Sequence, residues 1–359
     1  MKKSLLAMAI AGLLMTSSCK NADVDFPDYI YQTIYFAQQT PVRNIVIGDD
    51  GEYDTELDNK HQFQAMATLG GINDNNGQRS VEVRIAPELL TGLTFADGRQ
   101  IKMLPESYYK FETNKIIIPK GKVRGGVLVQ LTDAFFEDEQ SADMTYVLPM
   151  VLVNGSDSIL EGKAKEGVEN PRRLVASDWD VTPMDYQLLA IKYKNRYHGV
   201  WLSQGKDEIN NNGTVTTNDR NKQYWEKADT CWMSTIKLNA SRRQFSHYVT
   251  TINDKGEEVD TKINITLRLD YTDNGDITVS TKTAGCSASG SGKWEYQAAK
   301  KAWGDKDRDQ ITLNYEYSIP YTLNALTGQT AVYKVKRQET MVMRDRQSKF
   351  ETFSFSNNQ

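Results

Sequence analysis

Cysteine and histidine are scarce in this chain, with three of each in 359 residues. That leaves little for a metal centre of nitrogen and sulfur ligands. His61, His198 and His247 are far apart, and none stands at ligand spacing from another His or Cys. After the first residues there is no apolar run long enough to cross a bilayer as a helix. There is no basic excess either. The formal net charge is −4, so the chain lacks the electrostatic footprint of a nucleic-acid binder. A Gly-x-Ser-x-Gly nucleophile elbow is missing. Gly285-Cys286-Ser287-Ala288-Ser289-Gly290 lacks the Lys-Ser/Thr ending of a phosphate loop and reads as a hairpin turn.

What is present begins at the N-terminus. Lys2 and Lys3 precede an apolar stretch from Leu5 to Met15, and Thr16-Ser17-Ser18 lead into Cys19. This is the order of a bacterial export signal that ends at a lipidated cysteine. The expectation is a signal peptide over 1–18, a lipid anchor on Cys19 and a polar tether over 19–27. The two later cysteines, Cys231 and Cys286, would then meet non-reducing surroundings. Both a disulfide between them and two separate thiols stay open.

Aromatic residues are plentiful, at 10% with 18 Tyr and 6 Trp, and they favour strands. Short apolar runs alternate with turn signals along the whole chain, and no persistent 3.6-residue period occurs. Val81, Val83 and Ile85 alternate with Glu82 and Arg84, the mark of a half-buried strand. The pattern predicts a β-sandwich over 28–160, a linker over 161–180 and a second β domain over 181–357. In the second, Asp254-Lys255-Gly256 and Asp273-Asn274-Gly275-Asp276 separate long alternating runs. Such hairpin signals predict a meander that curls into an antiparallel barrel of six to eight strands.

Four strings occur in one order: Leu104-Pro105-Glu106-Ser107-Tyr108-Tyr109, Ile118-Pro119-Lys120-Gly121, Val127 to Asp133, and Tyr146-Val147-Leu148-Pro149. They resemble the N-terminal β-sandwich of lipoproteins from Bacteroides-type gut bacteria, the family known as domain of unknown function 1735. The resemblance implies an immunoglobulin-like sandwich at the front. Gly290-Ser291-Gly292-Lys293-Trp294, Trp303 and Tyr315-Glu316-Tyr317 resemble the lipocalin-like, or calycin, barrels attached to such domains. It further implies a non-enzymatic role near glycan capture at the outer membrane. The partners would be an oligosaccharide or polysaccharide and outer-membrane transporter proteins. No ligand residues can be carried over from that family. The membrane face, surface or periplasmic, stays open, because Asp23 and Asp25 make only a thin acidic tag after Cys19.

Sugar binding requires aromatic faces with planar polar partners. The candidates are Trp225, Trp303, Tyr197, Trp201 and Arg242, with the ligand expected in the mouth of the barrel. Trp232 and Trp294 read as barrel core. Nothing singles out catalytic residues, a metal site or a cofactor. Asp133, Glu137, Asp138 and Glu139 could offer oxygen ligands to calcium, but they lack the spacing of a calcium loop and read as a solvated loop. A structural or assembly lipoprotein is the alternative function. A glycan hydrolase is the third, and it would need two carboxylates placed across a sugar.

Overall fold

The computed structural model describes residues 28–29 and 31–357. The apolar leader, Cys19 and the tether lie outside the described residues. The chain builds two β units, a front sheet of twelve strands and a rear sheet of nine.

The front unit has eight main strands: β1 (Thr33–Tyr35), β2 (Pro41–Val46), β3 (Gln62–Gly70), β4 (Arg79–Ile85), β5 (Lys115–Ile118), β6 (Arg124–Leu131), β7 (Tyr146–Val153) and β8 (Tyr186–Lys194). They run in the order β1-β3-β6-β5-β4-β7-β8-β2, with short strands at both ends. One apolar core takes side chains from all eight, including Ile34, Ile45, Phe63, Val81, Ile116 and Val129. The arrangement is sandwich-like. β5 meets β6 through one pair, Ile117 opposite Gly126. A Cβ on Gly125 would lie 1.9 Å from the Ile117 carbonyl oxygen, so only glycine fits there.

β7 is apolar at consecutive positions because both of its faces are covered. Leu148, Met150 and Leu152 enter the main core. Val147 and Val151 enter a second core with Leu93, Phe95 and Phe353. Two segments distant in sequence supply that cover. Glu351–Thr352 pairs with Pro41–Val42, and Phe355–Asn357 pairs with Leu93–Phe95. The end of the chain therefore returns to the front unit.

β8 corrects the expected boundary. Tyr186–Lys194 lies in the stretch assigned to the rear domain, yet it pairs antiparallel with β7 and parallel with β2. The polar stretch 161–180 leads back into the front sheet, and the crossing to the rear comes at Asn195–His198. Arg346 fastens that crossing by donating to Ile47 O at 2.9 Å and Asn195 O at 2.8 Å.

The rear strands are β9 (Gly199–Asn211), β10 (Thr214–Asp219), β11 (Asp229–Lys237), β12 (Ala240–Ile252), β13 (Glu258–Tyr271), β14 (Asp276–Thr281), β15 (Ser287–Trp303), β16 (Lys306–Asn324) and β17 (Gln329–Asp345). Each pairs antiparallel with the next, except that β10 folds back on β9 and β11 also pairs with β9. β9 pairs with β17 as well, so the row returns on itself and β10 stays outside the ring. The Asn274-Gly275 hairpin forms as the sequence predicts. Gly275 has φ +82°, and a Cβ there would press on the Trp294 carbonyl oxygen at 2.4 Å. The other glycine-rich turn is confined to Thr283–Cys286, where Cys286 N–H bonds to Thr283 O, and Ser287 already starts β15. The ring interior holds an aromatic core. Phe245, Tyr315, Tyr317 and Tyr333 fill it among aliphatic neighbours. Cys231 and Cys286 are not joined.

Candidate functional site

The wall of the ring opens between β11 and β12. β11 follows β9 from Asp229 to Met233. It meets β12 only near the hairpin, where Ser234 faces Arg242 and Lys237 faces Ala240. Beyond that point the strands part, and a cleft of ≈ 770 Å³ enters the ring wall. Asp229, Trp232 and Arg242 stand at its rim, and Arg220, Arg243 and Arg337 form its floor.

The floor is a charged network inside an apolar ring. Asp207 on β9 accepts from Arg337 Nε and Nη2 at 2.7 Å each and from Arg220 Nε at 3.0 Å. Glu339 accepts from Arg243 Nη1, from Tyr315 Oη at 2.7 Å and from Ser203 Oγ at 2.7 Å. Arg243 and Arg337 also lie over the Phe245 ring, 4.5 and 4.9 Å from its centroid. Burial alone would keep Glu339 protonated. Arg243 and Arg337, with the hydroxyls of Tyr315 and Ser203, outweigh it and hold the carboxyl far down, at about 2. Arg243 is correspondingly held in its charged form, against the cost of burial. Three guanidiniums thus face two buried carboxylates. Arg220 is 8% exposed, and its Nη2 has no hydrogen-bond partner.

The chemistry of this floor suits recognition. Both buried carboxylates are occupied by arginines. The Cys231 thiol in the wall is pushed up by burial, despite Arg243 nearby, which keeps it from being a ready thiolate. His247 is lowered to about 4, by burial first and then by Arg337. Among the described residues no group of three His, Cys, Asp or Glu is placed to hold a metal ion. Asp138 in the acidic cluster is bonded by Tyr146, Tyr108 and the Gln140 N–H.

Of the five sugar-binding candidates named from the sequence, Arg242 lines this opening, and it also ion-pairs with Asp143 of the front unit at 3.1 Å. Tyr197 and Trp201 are core residues. Tyr197 stacks on Tyr271 at 3.5 Å, and Trp201 is fully buried with its Nε1 bonded to Tyr197 O. Trp225 packs on a small cluster of Ala299, Ala302 and Val342. Trp303 lies under Arg344 near the β15–β16 turn. Trp232, read as core, is 45% exposed. Its ring meets His198 edge-on at 5.1 Å, and its Nε1 donates to Ser234 Oγ.

Arg220, Arg337 and Glu339 were missed because charge in or beside a strand reads as a solvated face, and Arg243, a plausible polar partner beside Arg242, read more simply as a solvated strand end. The available signal was parity. In β17 the inward series Ala331, Tyr333, Val335 continues through Arg337 and Glu339.

A second cleft, of ≈ 730 Å³, lies between the two units and shares Arg242 and Thr266 with the first. Arg268 reaches across it to Glu139 at 3.3 Å.

Fold and opening together define a two-unit β protein with an arginine-floored recess in its rear ring. Residues 196–347 match a domain of unknown function, DUF5627, and residues 29–159 match the model of an N-terminal domain. These limits agree with a crossing at Asn195–His198. A Bacteroides ovatus protein of unknown function, known from its crystal structure, is 32% identical with a TM-score of 0.78, covering 92% of this chain and 100% of its own. The chain belongs to the family of that protein. A multidomain Bacteroides ovatus protein that includes DUF1735 is 13% identical with a TM-score of 0.44, over 89% of this chain and 97% of its own. A proposed carbohydrate binding protein from Bacteroides ovatus is 14% identical with a TM-score of 0.27, over 69% of this chain and 66% of its own. Likenesses this loose carry no argument about this chain. No curated protein matches it.

Proposed function

We propose that this protein binds glycans without chemistry, as an accessory of polysaccharide uptake. In this reading it is a lipoprotein held at the outer membrane through Cys19, beside outer-membrane transporter proteins. The rear ring acts as a lipocalin-like barrel with one difference, that its ligand enters through the wall. Phe245, Tyr315, Tyr317 and Tyr333 pack inside the ring.

One observation carries the reading. The opening sets an exposed indole, Trp232, beside a rigid floor of guanidiniums. Pyranose rings offer an apolar C–H face for the indole and hydroxyls for planar donors. Arg243 and Arg337 are already fixed by carboxylates and by Phe245, so little conformational entropy is lost on binding. A hydrolase would instead need an acid with a raised pKa and a free carboxylate, and Glu339 is ionised and bonded.

The test is calorimetric titration of the purified chain, without its first 18 residues, against a panel of plant and host polysaccharides. At least one is expected to bind, and Trp232→Ala should weaken it about tenfold or more, the loss of one stacking contact. Absence of binding across the panel would favour the assembly role. Release of reducing ends would favour hydrolysis.

A further inference from the structure

We infer that the front unit carries a sugar site of its own, in the cavity between β2, β3 and the returning chain at Ser348–Phe350. It binds a sugar ring through two adjacent hydroxyl groups. This goes beyond the rear-ring reading and does not depend on it, since the cavity shares no lining residue with the wall opening.

The cavity holds ≈ 580 Å³, within the roughly 300–1,000 Å³ usual for small-ligand sites. The first support is hydrogen bonding left unmade. Asn44 lines the cavity and is 8% exposed, and neither its Nδ2 nor its Oδ1 has a hydrogen-bond partner among the described residues. Ser348 Oγ, in the wall that the returning chain supplies, is buried and unpartnered as well. Buried polar groups in this state cost stability unless something bonds to them. The buried carboxylate of the same cavity is by contrast used. Asp58 accepts from Arg43 and from the Val46 N–H.

The second support is the apolar lining that reaches solvent. Tyr53, Met66 and Phe350 line the same cavity and are exposed, Phe350 at 66%. Exposed aromatic faces beside a buried planar amide suit a pyranose, whose C–H face covers a ring while its hydroxyls meet the amide. The Asn44 amide offers a donor and an acceptor side by side. A sugar hydroxyl can do either, so one of two neighbours accepts from Nδ2 and the next donates to Oδ1. The third support is that the site can open and yet has no room for a strand. Residues 346–350 have no regular secondary structure, so Ser348 and Phe350 can give way to admit a ring. A peptide strand would need a longer free edge. β2 is paired with Glu351–Thr352 at Pro41–Val42, and the Val46 N–H is taken by Asp58, which leaves Arg43–Ile45 between them.

The experiment titrates wild type, Asn44→Leu, Phe350→Ala and Trp232→Ala by calorimetry with cellotriose, xylotriose, mannotriose and galactotriose. At least one triose should bind wild type and Trp232→Ala alike, since the rear indole is no part of this site. Asn44→Leu keeps the branching of the side chain and removes both polar atoms, so it should weaken that binding about tenfold or more. Phe350→Ala, at an exposed position, should weaken it several-fold and leave the melting temperature unchanged. Asn44→Leu should hold or raise the melting temperature of the free protein, because it takes an unpaired group out of the interior. A bonded, structural asparagine would lower it instead, and that result would overturn the inference. Loss of triose binding in Trp232→Ala would overturn it, as would full retention in Asn44→Leu or Phe350→Ala. Absence of triose binding to wild type would overturn it too, while the polysaccharide titration of wild type and Trp232→Ala decides the rear ring separately.

Discussion

Glu339 is the keystone of the rear ring, and Glu339→Gln tests this directly. The substitution keeps the shape and removes one charge. It leaves Arg220, Arg243 and Arg337 facing Asp207 alone. Oε1 accepts from Arg243 and Tyr315, and Oε2 accepts from Ser203. An amide supplies one acceptor where the carboxylate supplied two; with its oxygen toward Arg243 and Tyr315, its NH2 group faces Ser203 Oγ, which must turn to accept, and Arg220 Nη2, 3.6 Å from that position, which then meets a donor. Arg243 is 5% exposed and cannot turn to water. Breaking a buried pair in this way costs about 3–5 kcal/mol. Urea denaturation of wild type and variant, followed by tryptophan fluorescence, measures it. The double variant Glu339→Leu with Arg243→Leu removes both charges and should lose less than the two single leucine variants added together. The acid limb gives a second check. The Glu339 carboxyl is depressed in the fold, so its stabilisation is present above the ordinary glutamate range, near pH 4.5, and is lost as pH falls toward about 2. In Glu339→Gln that loss disappears. A loss below about 1 kcal/mol at neutral pH, less than the cost of one unsatisfied buried group, would refute the keystone reasoning.

His198 should make the fold acid-sensitive at a higher pH. Burial first, then Lys194 and Arg346, lower it from 6.5 to about 3, and its Nδ1 accepts from the Thr235 N–H. The unfolded chain takes up the proton first, so stability is full above pH 6.5 and falls as pH drops toward 3, by at most about 1.4 kcal/mol per unit. His198→Asn should flatten melting temperature against pH between 6.5 and 4, and an unchanged slope would count against the assignment. Phe353→Ala should cost about 3–5 kcal/mol of front-unit stability by emptying the second core, measured by denaturation, although residue 353 lies outside the sandwich span read from sequence. Gly125→Ala should fail to give folded protein, because its Cβ meets a backbone oxygen at 1.9 Å; a soluble, cooperatively melting variant would contradict the close approach of β6 to Ile117.

Much of the rear unit was legible because alternation is a local property. The runs at Lys262–Tyr271 and Asp276–Thr283 and their Asn-Gly turn became a hairpin in register Tyr271–Ile277. Pairing between distant strands is not local. Nothing in Tyr186–Lys194 says that it joins β7 and β2, since an apolar run buried on both faces looks the same in either unit. Trp232 was misplaced by one step of parity. Met233 and Thr235 point inward, which turns residue 232 outward, and large aromatic character outweighed that alternation in the reading. The site was hidden for the converse reason. Arg337 and Glu339 keep the inward parity but carry the chemistry of a solvated face, and only their mutual neutralisation lets them stay there.

The return of the chain end to the front sheet makes the rear ring an insertion held by two strands of backbone. β8 leads out of the front sheet, and residues 346–357 lead back, with Lys194 Nζ bonded to Gln347 O at 2.7 Å across the pair. A single linker lets a domain swivel and lets a pull on one domain peel it from the other. Here a load on the ring divides between two parallel leads and is resisted in torsion as well as in tension. The front unit also cannot close its second core until Phe353 and Phe355 have been synthesised, so its folding waits on the completion of the rear ring.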